Sequence, residues 1–499
     1  MDARMAMSRV LRLVAVVLAL GGRGTQAATH RYRGTQLEAV GDELRMARGG
    51  REGVRAEEGK TSYVKTFDVV LRRPEGESVG KSGTLHALVF ALEDYDRLGR
   101  LQTKNGVQRR AYCCREDSDW RDEEGEWCAP GQLLLGAPNP ERTGWPKDFT
   151  FKVEAGEKEL HLRDLDVPIK QTGMYYLWFL SCDPALDGAT ITGKSVWKNP
   201  TGYLPGMMAP NMPFFGVMSI LYVALGAIWL LVYAINWKEV VMVQHCISAV
   251  IFLGMVEMMV WYLDYENFNR TGERPYFTTL VAIVLGCLRK TLARFLVLAV
   301  SMGYGVVKPT LAGLQQRVLA LCGAYLLFSL SLEIATNLGA VDDMVTVLRL
   351  MLVVPVSIID SLFILWIFTS LSRTLSQVHS RKQTAKLDLY RSFTNMIAIT
   401  VVVSLFWIIY EMYFRISDSI NVYWENEWVN GAFWHMLNFL VLCGICFLWR
   451  PSQQAARFAF VAERDEEEAV ALTGGQYRSD QTDIFVLEAM EPQEPEKHD

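Results

Sequence analysis

Between Pro213 and Trp449 the chain runs through seven apolar segments, near 213–235, 242–263, 277–302, 314–337, 344–371, 393–414 and 432–449. No other feature limits the fold as strongly. A helix needs about 20 apolar residues to cross ~30 Å of hydrocarbon, and inside that layer its backbone must satisfy its own hydrogen bonds. Seven such segments in one chain describe a bundle of membrane-crossing helices. Overall composition conceals this, because 51% hydrophobic and 21% charged are averages over two unlike halves. Up to position 205 the chain is mixed and charged. A formal net charge of −5 offers nucleic acid no attraction. There is no H-E-x-x-H, Walker loop or G-x-S-x-G elbow, so soluble-enzyme chemistry has little support.

The third segment contains a contradiction. "LGCLRKTLARFLVLAV" (285–300) is apolar except for Arg289, Lys290 and Arg294. Counted from Phe277, Arg289 lies roughly 18 Å along the helix, near mid-bilayer. Lys290 and Arg294 share a face at i, i+4, and Arg289 is turned away. Cations at that depth face the bundle interior and pair with something. Glu257, Glu333, Asp360 and Glu411 lie in or beside the other apolar runs and roughly balance the trio plus Arg349. Two readings follow: ion pairs that fix helix packing, or a polar cavity that holds an anionic lipid head group or conducts ions. Glu333, Arg349 and Glu411 stand near segment ends, where they can reach the interface.

The N-terminus reads as a secretory signal, with Arg4, Arg9 and Arg12 before "LVAVVLAL" (13–20) and a small-residue cleavage site at "TQAA" (25–28). Residues 29–205 are then expected in the lumen and the C-terminus in the cytosol. The loops agree: Lys238, Lys308, Arg317, Arg373, Arg381, Lys382, Lys386, Arg391, Arg450, Arg457 and Arg464 fall on the cytosolic side, against Arg270, Arg274 and Arg415 on the other. The lumenal part holds Cys113, Cys114, Cys128 and Cys182, which predict two disulfides; Cys113 and Cys114 diverge, so each reaches toward Cys128 or Cys182. Alternating or short apolar runs at 66–73, 84–94, 148–154, 158–167 and 173–182 predict strands and a β-sandwich. The segment 33–59, rich in Gly and charge, reads as flexible, and 113–147 as a disulfide-tied loop. One sequon, "NRT", places a glycosylation candidate at Asn269. The acidic "ERDEEE" (463–468) opens a solvated tail over 451–499.

Several stretches carry a family resemblance. "WKNPTGYLPG" (197–206), "VIFLGMVE" (250–257), "RKTLARFLVLAVSMGYGVVKP" (289–309), "LYRSFTN" (389–395), "LWRPS" (448–452) and "RFAF" (457–460) resemble the GOLD-domain seven-transmembrane (GOST) family, in its transmembrane protein 87 branch. "TGMYYLWFLSC" (172–182) extends the likeness into the first half. The resemblance implies an α+β membrane protein, a lumenal GOLD-like β-sandwich (29–205) on a seven-helix bundle (206–450) in Golgi membranes. It implies a role in endosome-to-Golgi retrograde traffic and a bundle cavity that can hold a phospholipid or lipidated cargo. Some relatives are similar to cation channels responsive to pH, voltage or force. This chain departs from those, with Met258, Ile283, Asn430 and Gly431 where they carry charged residues, while Glu257 and Asp264 are kept.

The expectation is therefore a non-enzymatic Golgi membrane protein with no cofactor or metal, whose partners are membrane lipids, lipidated cargo and trafficking adaptors. Arg289, Lys290, Arg294 and Asp360 are the cavity or head-group candidates. The alternative is a cation channel, with Glu257, Asp264, Glu333 and Glu411 along the ion pathway. A G-protein-coupled receptor is suggested only by segment count, because "SMGYGVVKP" (301–309) stands where a D-R-Y-type motif would be and no N-P-x-x-Y occurs in the last segment. His245 and His435 read as packed or interfacial residues rather than a shared site.

Overall fold

The computed structural model describes residues 28–40, 44–74, 80–104, 107–114, 131–136, 142, 144–237, 240–304, 315–338, 343–380, 384–417 and 422–451; of 101–109, 338, 343–350 and 384–385 it gives at most the backbone path. Residues 1–27 of the expected signal segment 1–28, Cys128, residues 452–499 of the tail, and Lys238, Lys308, Arg381 and Lys382 lie outside the described residues, as does the side chain of Arg349.

Two antiparallel five-stranded sheets pack face to face. One runs β1 (Thr29–Gln36), β12 (Thr190–Lys198), β4 (Ser62–Arg72), β10 (Asp166–Ile169), with β9 (Glu159–His161) also on β4. The other runs β2 (Glu38–Val40), β3 (Leu44–Val54), β11 (Gly173–Ser181), β5 (Gly83–Ala91), β8 (Lys147–Val153). A hairpin, β6 (Arg100–Lys104) and β7 (Val107–Ala111), stands apart. The core between the sheets takes alternate residues of each strand, as the two-residue period requires: Leu85, Ala87 and Val89 of β5, Tyr175, Leu177 and Phe179 of β11, Ile191 and Trp197 of β12.

The aromatic run 173–182 is apolar on both faces because both faces are covered. Its other side, with Leu88, Phe90, Tyr176, Trp178 and Leu180, packs under Leu98, Leu133 and Leu135. The Cys113–Cys182 disulfide ties that cover to the end of β11. Cys114 is disulfide-bonded as well.

Three expectations need correction. The segment 33–59 is not flexible but builds the end of β1, then β2 and β3. Gly49, Gly50 and Gly53 are there for proximity: a Cβ on Gly49 would meet Leu177 at 2.7 Å and Phe179 at 2.8 Å. Tyr32, buried in the same place, donates to Ser195 Oγ at 2.7 Å, and burial raises its phenol pKa. Second, 158–167 is two strands, since β4 bulges at Asp68 (φ 49°) and needs a separate partner on each side of the bend. Third, β5 stops at Ala91 and a short 3₁₀ turn, Leu92–Arg97, follows.

Beyond the linker, the described residues form seven long helices: α1 (Asn211–Ile235), α2 (Met242–Thr271), α3 (Tyr276–Ser301), α4 (Gln315–Leu338), α5 (Asp343–Ser380), α6 (Thr384–Ser417) and α7 (Glu427–Leu448). Six hold an apolar stretch long enough to cross a membrane, and α3 is the exception because its cations interrupt the run. Several helices exceed their apolar segments, most of all α5 and α6 with 38 and 34 residues. At the end far from the sandwich, the motif residues Tyr390 and Phe393 pack on Trp449, whose carbonyl accepts from Gln244.

Replacing Cys113 and Cys182 together by serine is expected to cost about 4 kcal/mol, the scale for releasing a loop of 69 residues. An earlier thermal transition of the full chain would show it; an unchanged one would mean that the apolar cover holds without the bond.

Candidate functional site

Each cation of the opening trio is answered from a different helix. Arg289 pairs with Glu257 of α2, both buried. Lys290 Nζ donates to Glu333 Oε1 of α4 at 2.7 Å, and Asn337 donates to the other oxygen at 3.1 Å. Arg294 Nε donates to Asp360 Oδ1 of α5 at 2.7 Å, with its guanidinium 4.1 Å from the Tyr325 ring centre. Successive helical residues point about 100° apart, so three cations within six positions fan out to three neighbours. Gly286 makes the first pair fit: a Cβ there would stand 2.8 Å from Glu257 Oε1.

A fourth pair joins α2 to α3 at the sandwich end. Asp264 Oδ1 accepts from Thr278 and Thr279, each at 2.7 Å, while Oδ2 accepts from Arg274 Nε at 3.3 Å. The Arg274 guanidinium lies over the rings of Trp261 and Tyr265. Asp264 is thus fully engaged in structure. Glu411 pairs with Arg415 one turn along α6, on an exposed face.

A cavity of about 330 Å³ opens at the sandwich end of the bundle. Its walls come from α1, α2, α3, α4 and α7, with Met207 and Met208 of the linker at the mouth. The polar lining is Asn211, Glu257, Lys290, Glu333, Asn337, Glu427 and His435, and the aromatic lining Phe215, Trp261, Tyr265 and Trp428. Of the head-group candidates only Lys290 lines it, and of the ion-pathway candidates only Glu257 and Glu333. Arg289 stands behind Glu257; Arg294, Asp360, Asp264 and Glu411 are elsewhere. His435, read from sequence as a packed residue, does pack on Phe214 and Phe215 but also faces the cavity. Its Nδ1 has no hydrogen-bond partner among the described residues. Trp261, Trp428 and His435 carry no sequence signal that separates them from core aromatics. Cys443 and Cys446 of α7 stand in C-x-x-C spacing, and both are free thiols outside the cavity lining.

The sandwich is seated on this mouth through a notch without side chains. Gly206 N donates to Gly53 O at 2.8 Å, and the Trp424 indole, buried, fills the space that a Cβ on Gly53 or Gly206 would take. One or two residues beyond Gly206 come Met207 and Met208, and just beyond Trp424 come Glu427 and Trp428. Asn269 belongs to the same junction. Its Oδ1 accepts from Leu204 N at 3.1 Å and its Nδ2 donates to Thr201 O at 3.0 Å.

A β-sandwich set on a bundle of long apolar helices, with charge pairs inside, defines a multi-pass membrane protein. Residues 210–456 match the family described as "GOST, seven transmembrane domain", and through that half the chain belongs to the GOST family. Its relatives place it in the transmembrane protein 87 branch. It is 38% identical to mouse Transmembrane protein 87B over 270 residues, 54% of this chain and 48% of that one. It is 36% identical to Xenopus tropicalis Transmembrane protein 87A over 273 residues, 54% and 50% of the two chains. The chain spans about half the length of these curated relatives.

Two predictions follow from the geometry. Losing one partner of a buried pair leaves an uncompensated charge, at a cost of about 3–5 kcal/mol, whereas apolar replacement of both is near neutral. Arg289→Met and Glu257→Met are each expected to lower the melting temperature of the purified protein, and the double variant to recover most of the loss; additive losses would mean the two charges act separately. The Asn269 amide nitrogen is the atom a glycan would take, and the fold already uses it. The folded protein is expected to show no glycosidase-sensitive mobility shift at this site; a shift abolished by Asn269→Gln would show the opposite.

Proposed function

We propose that this protein is a non-catalytic carrier of Golgi membranes, with its sandwich in the lumen, that supports endosome-to-Golgi retrograde traffic and holds the polar head of a lipid or lipidated cargo in the bundle cavity. The observation that carries the reading is the cavity itself, polar at its base, aromatic on its walls and placed where sandwich, linker and helices meet. The transport setting rests on the kinship with transmembrane protein 87 and extends to trafficking adaptors as partners. No cofactor is required.

The charge pairs refine what the cavity accepts. Each trio cation already has its carboxylate, so an anionic head would find no unanswered cation. In the lining Glu257 and Glu333 are matched by Arg289 and Lys290, and Glu427 stands with them beside the faces of Trp261 and Trp428. A head group that carries an amine suits that balance, since ammonium groups favour both carboxylates and indole faces. Carboxylates at the cavity, Glu257 and Glu333 among them, make cation conduction the second reading.

Purified full-length protein separates the two. Lipid that co-purifies is expected to be amine-headed and to fall about fivefold in Trp428→Ala, the scale of a lost cation–π contact. In liposomes held between neutral and acidic pH, cation flux is expected to stay at background. Flux that disappears in a folded Glu257→Gln variant, with no retained lipid, would replace the carrier by a channel.

A further inference from the structure

The outer surface of the bundle carries a second cavity, unconnected with the first by any shared lining residue. It is a groove of about 700 Å³ between α4 and α5, within the range of small-molecule sites. Arg317, Ala320, Leu321 and Ala324 form one wall, and Leu362, Leu365, Trp366 and Thr369 the other. Ala320 and Ala324 stand at i, i+4 opposite the larger Leu362 and Leu365, and the volume lies where those alanines end.

Polarity along the groove is ordered. Gln315, Gln316 and Arg317 are exposed in the first turn of α4, where the helix dipole is positive. Across from them α5 turns polar after Thr369, through Ser370, Ser372 and Arg373. The membrane boundary therefore crosses both helices at this level. From Arg317 to Ala324 the groove runs about 10 Å inward, at ~1.5 Å per residue. Everything below its rim is apolar, and Leu362 and Leu365 are 47% and 65% exposed. Both helices hold apolar stretches long enough to span a membrane, so the medium against this face is hydrocarbon.

We propose that this groove is a binding site for an anionic phospholipid, with one acyl chain between α4 and α5 and the phosphate on the Arg317 guanidinium. The charge argues for the acidic class. Among the described residues Arg317 is the one charged group in the lining, so an anionic head is complemented, while the ammonium of a zwitterionic head meets no carboxylate among them. Guanidinium binds phosphate through paired, charge-assisted hydrogen bonds, worth about tenfold or more in occupancy. The site rests on the membrane-protein reading but not on the carrier role, and it faces the opposite leaflet end from the inner cavity.

The test uses full-length protein in phosphatidylcholine vesicles doped with phosphatidylserine that carries a photoactivatable diazirine in its acyl chain, against the matching phosphatidylcholine probe. Peptide mapping is expected to place phosphatidylserine adducts at 320–324 and 362–366, about tenfold above the phosphatidylcholine probe. Arg317→Gln is expected to remove that preference, and Ala324→Phe, which fills the groove, to remove the adducts with either probe. If Ala324→Phe fails to fold, Ala320→Leu at an exposed position serves in its place. Trp428→Ala should leave these adducts unchanged, which separates this site from the inner cavity. Equal labelling by the two probes, or adducts spread over all outward-facing helices and indifferent to the groove variants, would show ordinary annular lipid and overturn the proposal.

Discussion

Charge inside hydrocarbon has to be answered, and in this protein three cations on one helix are answered by three others. Glu257, Glu333 and Asp360 bring α2, α4 and α5 to α3, so the helix whose apolar run is broken by three cations becomes the hub of the bundle. A buried pair is a weak source of net stability, because desolvation consumes much of the attraction. Its strength is discrimination. A bundle rotated or reordered about α3 would strand at least one charge in an apolar medium, and that penalty is far larger than any gain in packing. The pairs therefore select an arrangement that apolar surfaces alone would leave open.

The inner cavity follows from that arrangement. Lys290 and Glu333 face each other across its base, Glu257 looks in from α2, and Gly286 leaves the room that the Glu257 carboxylate occupies. Aromatic rings close the walls above. The sandwich reaches this place through close backbone contact, with Gly53, Gly206 and the Trp424 indole nested together and Asn269 clasping the linker. The chain leads from that contact straight into mouth residues on both sides. Movement of the sandwich cannot leave the mouth undisturbed.

The stretches that resemble the family have a physical explanation too. Those near 289–304, 389–395 and 448–452 meet in the bundle, through the α3 hub, Tyr390, Phe393 and Trp449. They are where helices are held to one another, and their likeness speaks for a shared framework. Two of the four departures noted in the sequence fall on the cavity, where Ile283 and Gly431 line it; Met258 and Asn430 do not. Framework and contents are thus separable, which is why kinship alone does not fix the ligand.

By itself the sequence determined the class of molecule. Apolar length, strand alternation and the presence of acids to answer Arg289, Lys290 and Arg294 are local or countable properties, and the structure has the sandwich, six apolar spans and those three pairs. It misjudged 33–59, because glycines that allow close packing look the same in one dimension as glycines that allow disorder. Only the tertiary structure decided which acid answers which cation, that Asp264 is consumed by Thr278, Thr279 and Arg274, and that His435 faces a cavity. Those facts depend on the rotation of each helix about its axis and on the choice of neighbours. Both are set by contacts between residues far apart in the chain, such as Arg289 with Glu257 and Arg294 with Asp360, and no periodicity along the chain records them.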